Sequence, residues 1–314
     1  MRFPLVRPLA CVAALTFALS ATADELAEKG RALLDAHKHC VVTVRVVNKI
    51  QFSVPSVGTQ EQEQKSEITG TVIDPSGLTV LALSSADPTS RLENMIGEDD
   101  RAQGLNMKVQ VTDLKILTQD GSEISGQIVL RDRDLDLAFV RPTEPLNEPV
   151  PAIDFTNSAV PEVLDPIVTL NRLGRVAGRE YAVSIERINS IIRRPRTYYI
   201  MGHDPTRTDL GSPALSLDGK VIGLCVLRTI KSDRDSGGFG LFGGSDSAMA
   251  VIIPAEDIVE IAKQAPEVGA EVKELDSGEA AEPATEEPAP ESGDREEGAA
   301  PEEPTAEAPE GGEQ

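Results

Sequence analysis

The sequence contains no tryptophan, and aromatic residues make up only 3% of its 314 positions. Histidine and cysteine are equally scarce, with three residues of each. So few cysteines exclude a disulfide-rich scaffold, and we expect neither a metal site nor another cofactor. Acidic residues outnumber basic ones by 52 to 30, which gives a net charge of −22. Such an acidic chain is unsuited to nucleic acid, whose binding depends on neutralising phosphates.

The negative charge is concentrated near one end of the sequence. Residues 271–314 contain sixteen acidic residues and only two basic ones, Lys273 and Arg295. Proline, glutamate and alanine recur there without any apolar period, so the segment cannot bury enough surface to offset its ordering entropy. We therefore predict a disordered acidic tail over residues 266–314.

The first residues have the pattern of an export signal. Arg2 and Arg7 precede the apolar run LACVAALTFAL, and small residues at Ala21 and Ala23 precede Asp24. This pattern predicts a cleaved signal peptide over residues 1–23 and a periplasmic or secreted protein. Since no later stretch approaches about 20 apolar residues, we expect no membrane span after cleavage.

Between leader and tail, the sequence favours β structure. Short runs rich in valine and isoleucine alternate with Gly, Pro, Asp and Asn, and an amphipathic helix is expected at Asp24–His37. GTQEQEQKSE, from Gly58, is interpreted as a polar loop before a hairpin that turns at Asp74–Gly77. A proline-rich link near residue 150 predicts two small β-barrels. The predicted domains are 24–150, with the N-terminal helix and first barrel, and 151–265, with the second barrel and a C-terminal helix.

Four segments occur in an order and spacing that resemble one known family. They are GTVIDPSGLTVLALSSAD from Gly70, RDRDLDLAFVRP from Arg131, TDLGSPALSLDGKVIGLCV from Thr208 and AMAVIIPAEDIVEIA from Ala248. Over residues 38–264 the chain resembles the protease domain of the HtrA (Deg) branch of trypsin-like serine proteases. The resemblance implies an all-β, trypsin-like (chymotrypsin) fold of two six-stranded β-barrels with short flanking helices.

The resemblance also assigns the catalytic positions. The aspartate falls on Asp136, but the histidine falls on Ser84 and the nucleophile on Leu210. The glycine that would help form the oxyanion hole falls on Thr208. Serine hydrolysis needs both a hydroxyl nucleophile and a base that takes up its proton. The catalytic set is therefore not intact, and we expect a pseudoprotease.

The expected function is binding rather than catalysis. The chain is interpreted as a scaffold or regulator in the cell envelope whose partners are proteins or extended peptides. Leu210 is expected to add apolar surface to the floor of the peptide cleft. An active HtrA-like endopeptidase with a non-standard site and a structural envelope component remain alternatives. The oligomeric state and the identity of the partner stay open.

Four further features are left with two interpretations each. Cys40 and Cys225 form either a disulfide or two buried thiols. HKHC, from His37, is either a soft-metal site or a helix–strand junction. GFGLFG, from Gly238, matches a dinucleotide fingerprint in letters but precedes a strand, which favours a loop. An arginine-rich stretch in the second half is either solvent-exposed or a docking face for an acidic partner. Its members are Arg172, Arg175, Arg179, Arg187, Arg193, Arg194 and Arg196.

Overall fold

A computed structural model describes residues 25–54, 58–89, 92, 104–119, 121–202, 209–229 and 248–268. The predicted signal peptide, residues 269–314 of the predicted acidic tail, the GFGLFG segment and Thr208 lie outside these described residues. The described residues form two closed six-stranded barrels, so the predicted all-β, trypsin-like architecture is confirmed.

The first barrel is entirely antiparallel. Its strands are β1 (Val41–Val54), β2 (Gly58–Val72), β3 (Thr79–Ala82), β4 (Asn106–Leu117), β5 (Glu123–Asp132) and β6 (Leu137–Pro142). They close in the order β1-β2-β3-β6-β5-β4. β6 is buried along its whole length, which fits its nearly unbroken apolar sequence. Its Phe139 is among the largest fully buried side chains of this barrel.

The second barrel repeats this arrangement. Its strands are β7 (Pro166–Arg172), β8 (Tyr181–Ile192), β9 (Tyr198–Met201), β10 (Pro213–Ser216), β11 (Val221–Thr229) and β12 (Ala248–Pro254). They close in the order β10-β11-β12-β9-β8-β7. Branched aliphatic residues fill its interior, as expected for side chains that pack well on a pleated surface. Ile167, Ile188 and Ile252 are fully buried there.

The hairpin between β2 and β3 turns where the sequence predicts. The N–H of Gly77 donates to the carbonyl of Asp74 at 2.9 Å, and the N–H of Ser76 donates to Asp74 Oδ1 at 2.8 Å. Gly77 has a φ of 90°, which explains the glycine at this corner. The hydrogen bonds from Ser76 also hold the pKa of Asp74 below its usual value.

The expected polar loop at GTQEQEQKSE is wrong, because these residues are part of β2. Each residue from Gly58 onward pairs with β1 in one continuous register. The polar side chains are accommodated because residues 58–65 are exposed, so the strand needs no apolar alternation. Strand formation here depends on pairing with β1, which the local sequence does not reveal.

Short helices flank the barrels. Helix α1 occupies residues 25–37, α2 is Leu83–Ala86 and α3 is Ala255–Ala262. The predicted N-terminal and C-terminal helices are therefore present. α1 packs on the second barrel, since a methyl group added at Gly30 would lie 3.2 Å from Ile185 on β8. Within the described part of the chain, no helix has the length and apolarity needed to cross a membrane.

Candidate functional site

Asp136 lies in the turn between β5 and β6, with a left-handed φ of 55°. Its carboxylate accepts three hydrogen bonds. The backbone N–H of Ser84 donates to Oδ1 at 2.6 Å, and the Ser84 hydroxyl donates to Oδ2 at 2.9 Å. The backbone N–H of Leu227, on β11 of the other barrel, donates to Oδ2 at 2.9 Å. Asp136 is thus a partly buried acceptor that joins the two barrels.

Burial dominates the electrostatics of this carboxylate. Removal from water raises the pKa of Asp136 to about 6, although the bonds from Leu227 and Ser84 act in the opposite direction. Desolvation exceeds hydrogen bonding here because the donors are neutral and no described basic side chain contributes to the shift. The carboxylate is consequently costly to ionise within the fold.

The structure brings Ser84 directly against Asp136. Ser84 follows β3 on the short helix α2, where its side chain is half-buried. The backbone reinforces the pair, since the N–H of Leu83 donates to the carbonyl of Asp136 at 2.8 Å. The Ser84 hydroxyl is therefore held toward a carboxylate, and it stands where the family resemblance would place an imidazole.

Leu210 lies in the turn that precedes β10. Its side chain is only 6% exposed and belongs to the apolar core that includes Val80, Leu215 and Leu224. The expectation that Leu210 adds apolar surface to an open cleft floor is therefore wrong. A leucine next to an apolar core gains more from packing inward than from facing water. It has no hydroxyl, so it cannot form an acyl intermediate.

Gly211, the next residue, fixes this turn against the first barrel. It has a φ of 88°, and its N–H donates to the carbonyl of Cys225 at 2.7 Å. Thr71 on β2 donates its hydroxyl to the Gly211 carbonyl at 2.9 Å. A Cβ at this position would lie 2.1 Å from the carbonyl oxygen of Thr69. Only glycine allows the turn to approach β2 this closely.

Ser212 lies in the same turn, next to Gly211. Its side chain is fully buried, and its Oγ has no hydrogen-bond partner among the described residues. Its carbonyl accepts the N–H of Cys225 at 2.9 Å, which anchors the turn to β11. The turn is also held through Asp209, which accepts a hydrogen bond from Asn171 on β7 at 2.6 Å.

Within the described residues, strand β11 has an open edge beside this turn. The N–H of Cys225 donates to the Ser212 carbonyl, and the Cys225 carbonyl accepts the N–H of Gly211. Because backbone N–H and C=O groups point to alternate sides along a strand, those of Leu227 and Thr229 point to the same side as those of Cys225. The N–H of Leu227 is used by Asp136. Among the described residues, no strand pairs with this side of β11 beyond Cys225, while β12 covers the opposite side.

Two arginines of the predicted basic stretch join the barrels. Arg179 donates to both carboxylate oxygens of Glu67 on β2, at 2.9 and 2.7 Å, and thereby lowers the pKa of Glu67. Arg172 donates to the carbonyl of Leu117 at 2.9 Å and lies over the ring of Tyr181. The sequence shows these arginines but not their partners, which are distant in the chain.

The remaining candidate features lie elsewhere. Cys40 and Cys225 are both free and buried. Burial raises the pKa of the Cys40 thiol to about 11. The described residues contain no cluster of three or more potential metal ligands, at HKHC or elsewhere. A surface cavity of about 220 Å³ lies at the Ser216 end of β10, away from Asp136, and includes Pro161 and Leu217.

Two solved structures of proteases show limited similarity to this chain. The Rv3671c protease of M. tuberculosis, in its active form, is 17% identical and superimposes with a TM-score of 0.48, covering 77% of this chain and 89% of its own. The MamO protease domain from Magnetospirillum magneticum is 12% identical, with a TM-score of 0.44, and covers 72% of this chain and 96% of its own. A comparison with curated proteins found no match.

The family comparison is more direct. The model of the trypsin-like peptidase domain matches residues 68–224, half of the chain. The matched range runs from β2 to β11 and contains Ser84, Asp136 and the Gly211 turn. With this match and two closed six-stranded barrels, the chain belongs to the trypsin-like peptidase domain family.

Proposed function

We propose that this protein is an exported, catalytically inactive member of the trypsin-like family that binds proteins or extended peptides in the cell envelope. One observation carries the proposal. The carboxylate of Asp136, which should orient a histidine, is instead hydrogen-bonded by the hydroxyl of Ser84, and the expected nucleophile position holds the buried Leu210.

Catalysis by the family mechanism requires groups that these positions lack. A base must take the nucleophile's proton and return it to the leaving amine, and an aspartate only orients that base. Loss of either nucleophile or base costs on the order of 10⁶ in turnover. The hydroxyl of Ser84 cannot serve as the base, because it is itself a weak acid that already donates to Asp136.

Binding depends on different groups, which this chain keeps. An extended peptide pairs with a sheet edge through backbone N–H and carbonyl groups, so side-chain replacements in the catalytic set leave the pairing possible. The open edge of β11 offers the Leu227 carbonyl and the backbone of Thr229 next to the Gly211 turn. We infer that a bound segment lies antiparallel to β11 at these residues and is not cleaved.

The edge can be tested without disturbing the barrel. Thr229→Pro removes an N–H that points away from β12, so the ladder between β11 and β12 is kept, whereas Thr229→Ala keeps the N–H. In a titration with a mixed library of extended peptides, we expect Thr229→Pro to lose at least tenfold in affinity. Thr229→Ala should match the unchanged protein. Equal binding by both variants, or no binding by the unchanged protein, would remove this edge as the binding site.

A second candidate is an active peptidase that uses a non-standard site. It is favoured by the contact between the Ser84 hydroxyl and Asp136, a carboxyl whose pKa is raised to about 6. A carboxylate with such a pKa is a stronger base than an ordinary aspartate. Incubation with a fluorophosphonate probe separates the candidates. Labelling that is lost in Ser84→Ala would establish this second function, whereas an unlabelled chain supports the inactive one.

The location outside the cytoplasm rests on the leader pattern of residues 1–23. We expect the mature chain to begin near Asp24 and to fractionate with periplasmic or secreted proteins. N-terminal sequencing of the native protein tests this directly. A chain that retains Arg2 and Arg7 in the cytoplasmic fraction would contradict export.

A further inference from the structure

The hairpin of β1 and β2 has an unusual free edge. The two strands pair without a register shift from Val41–Thr71 to Val54–Gly58. On its other side, β2 pairs with β3 only at Thr71 and Val72. The Gly211 turn occupies that side at Thr69. Over residues 58–68, the described part of the chain therefore provides no partner strand for the outer edge of β2.

This edge carries charged side chains but lacks two other features that normally prevent edge-to-edge pairing, proline and a β-bulge. Between Gly58 and Ile68 there is no proline, and the pairing with β1 contains no bulge there. Residues 58–65 are exposed, so no helix or loop in the described part of the chain covers them. A regular, exposed strand with unpaired backbone groups is a template for another strand.

The charge pattern of β2 fits a second copy of the same strand. Glu61, Glu63, Lys65 and Glu67 share one face of the sheet, because side chains alternate along a strand. In an antiparallel pair related by a two-fold axis normal to the sheet, opposite residues must share a face. An axis at Gln64 places Glu63 of each copy opposite Lys65 of the other copy, which gives two such contacts.

Neighbouring registers are less favourable. An axis at Glu63 places Glu61 opposite Lys65 twice, but it also places two copies of Glu63, which has no ion-pair partner among the described residues, opposite each other. An axis at Lys65 places two lysines opposite each other and Glu63 opposite Glu67. Like charges directly opposite are destabilising. An axis at Ser66 would extend the partner strand to Thr69 and beyond, where the Gly211 turn lies. With the axis at Gln64, the paired segment of residues 60–68 stops just short of Thr69, and the glutamate and lysine without ion-pair partners meet as opposite charges.

That register also places Glu61 opposite Glu67, twice by symmetry, and both glutamates are already neutralised within their own chain. Lys49 lies 2.7 Å from Glu61, and Arg179 lies 2.7 Å from Glu67. Glu63 and Lys65, by contrast, have no ion-pair partner among the described residues. The charges that lack partners within one chain are therefore the ones that meet between two copies.

We propose that two copies of this chain pair antiparallel through residues 60–68 of β2, with the two-fold axis at Gln64. The product is one continuous sheet in the order β4-β1-β2-β2-β1-β4. Because a strand edge of this length buries less than the roughly 1,200 Å² of a stable interface, the dimer is reversible. Its strength then depends on backbone pairing and on the two contacts between Glu63 and Lys65.

Charge exchange tests the register. In sedimentation equilibrium of the chain without residues 1–23, we expect a concentration-dependent dimer. Glu63→Lys places lysine opposite Lys65, and Lys65→Glu places glutamate opposite Glu63, so each should weaken dimerisation at least tenfold. The double variant Glu63→Lys/Lys65→Glu restores opposite charges and should return within about threefold of the unchanged protein. A monomer at all concentrations, or a double variant no better than the single ones, overturns the proposal.

A cross-link tests the axis independently. Gln64→Cys brings two cysteines directly opposite, at about 4.5–5.5 Å between Cα atoms, and should form a disulfide-linked dimer under mild oxidation. Gln60→Cys lies on the same strand but about 27 Å from its symmetry mate, and should remain monomeric on a non-reducing gel. Equal cross-linking by the two variants would indicate random collision and overturn the axis at Gln64. Binding of extended peptides to β2 without dimerisation would also contradict self-pairing.

Discussion

Asp136 and Leu227 lie on different barrels, and the backbone N–H of Leu227 donates to the Asp136 carboxylate at 2.9 Å. The same carboxylate accepts two bonds from Ser84. These contacts give Asp136 a structural role, because it ties the β5–β6 turn to α2 and to β11.

The protonation of Asp136 predicts a pH-dependent stability. Its pKa rises from 3.8 to about 6 in the folded protein, so folding favours the protonated carboxyl. The stabilisation is complete below about pH 4 and is lost as the pH rises through 6. This change amounts to about 3 kcal/mol in the free energy of unfolding. Urea unfolding of the unchanged protein and Asp136→Asn between pH 4 and 8 measures it.

In the comparison with Asp136→Asn, the contributions of the other carboxyl groups to the pH dependence of stability cancel, because those groups titrate in both proteins. We expect the stability of the unchanged protein relative to the variant to fall over this pH range. A difference that stays constant, or that increases with pH, would mean that the three hydrogen bonds outweigh desolvation at this carboxylate.

Gly211→Ala should disrupt the contact between the barrels. The new Cβ would lie 2.1 Å from the backbone oxygen of Thr69, and backbone cannot move aside as a flexible side chain can. We expect a loss of at least about 3 kcal/mol in the free energy of unfolding, or failure to fold. Gly121→Ala is the matched control, since its φ of 85° is similar but no atom lies within 4 Å. It should lose only about 1 kcal/mol.

The cysteines should be inert in the native protein. Cys40 and Cys225 are free and buried, and burial raises the pKa of both thiols. Because the thiolate is the reactive form, neither should react with iodoacetamide at pH 8. Mass spectrometry of the chain without residues 1–23 should show no adduct before unfolding and two after unfolding. A native adduct on Cys225 would contradict its complete burial.

Local sequence patterns predicted much of this fold. The turn at Asp74–Gly77 and helix α3 have local causes, in turn chemistry and in apolar spacing, so both could be located without a structure. The resemblance placed Ser84 and Asp136 at related positions, and the structure brings them into contact. The sequence alone could not show that the Ser84 hydroxyl donates a hydrogen bond to the Asp136 carboxylate.

Other features depend on partners distant in the chain, and the sequence could not supply them. Residues from Gly58 to Glu67 look like a loop because their side chains are polar, yet β1 makes them a strand. The inward direction of Leu210 depends on an adjoining core and on the conformation of Gly211. In each case tertiary contacts override the local preference.

The contact between Arg179 and Glu67 gives a last prediction. Arg179 lies near the start of β8, Glu67 lies on β2, and two hydrogen bonds of 2.9 and 2.7 Å join them. The pair is partly exposed, with side-chain accessibilities of 28% and 14%, so solvent screens part of its energy. We expect a coupling free energy of about 1 kcal/mol in a double-mutant cycle of Arg179→Met and Glu67→Gln, measured by urea unfolding at pH 7. The separate contact of Glu67 with Arg45 does not enter this coupling energy, because it is present both with and without Arg179.

Lys29 and Glu25 on α1 are the control pair, because they lie 3.3 Å apart but are much more exposed. Their cycle should give less than about 0.5 kcal/mol. Since Arg179 holds the pKa of Glu67 below its usual value, the coupling should be present at neutral pH and disappear as the pH falls through that lowered pKa. Equal coupling in the two pairs, or coupling that survives acidification, would show that the Arg179 contact does not join the barrels energetically.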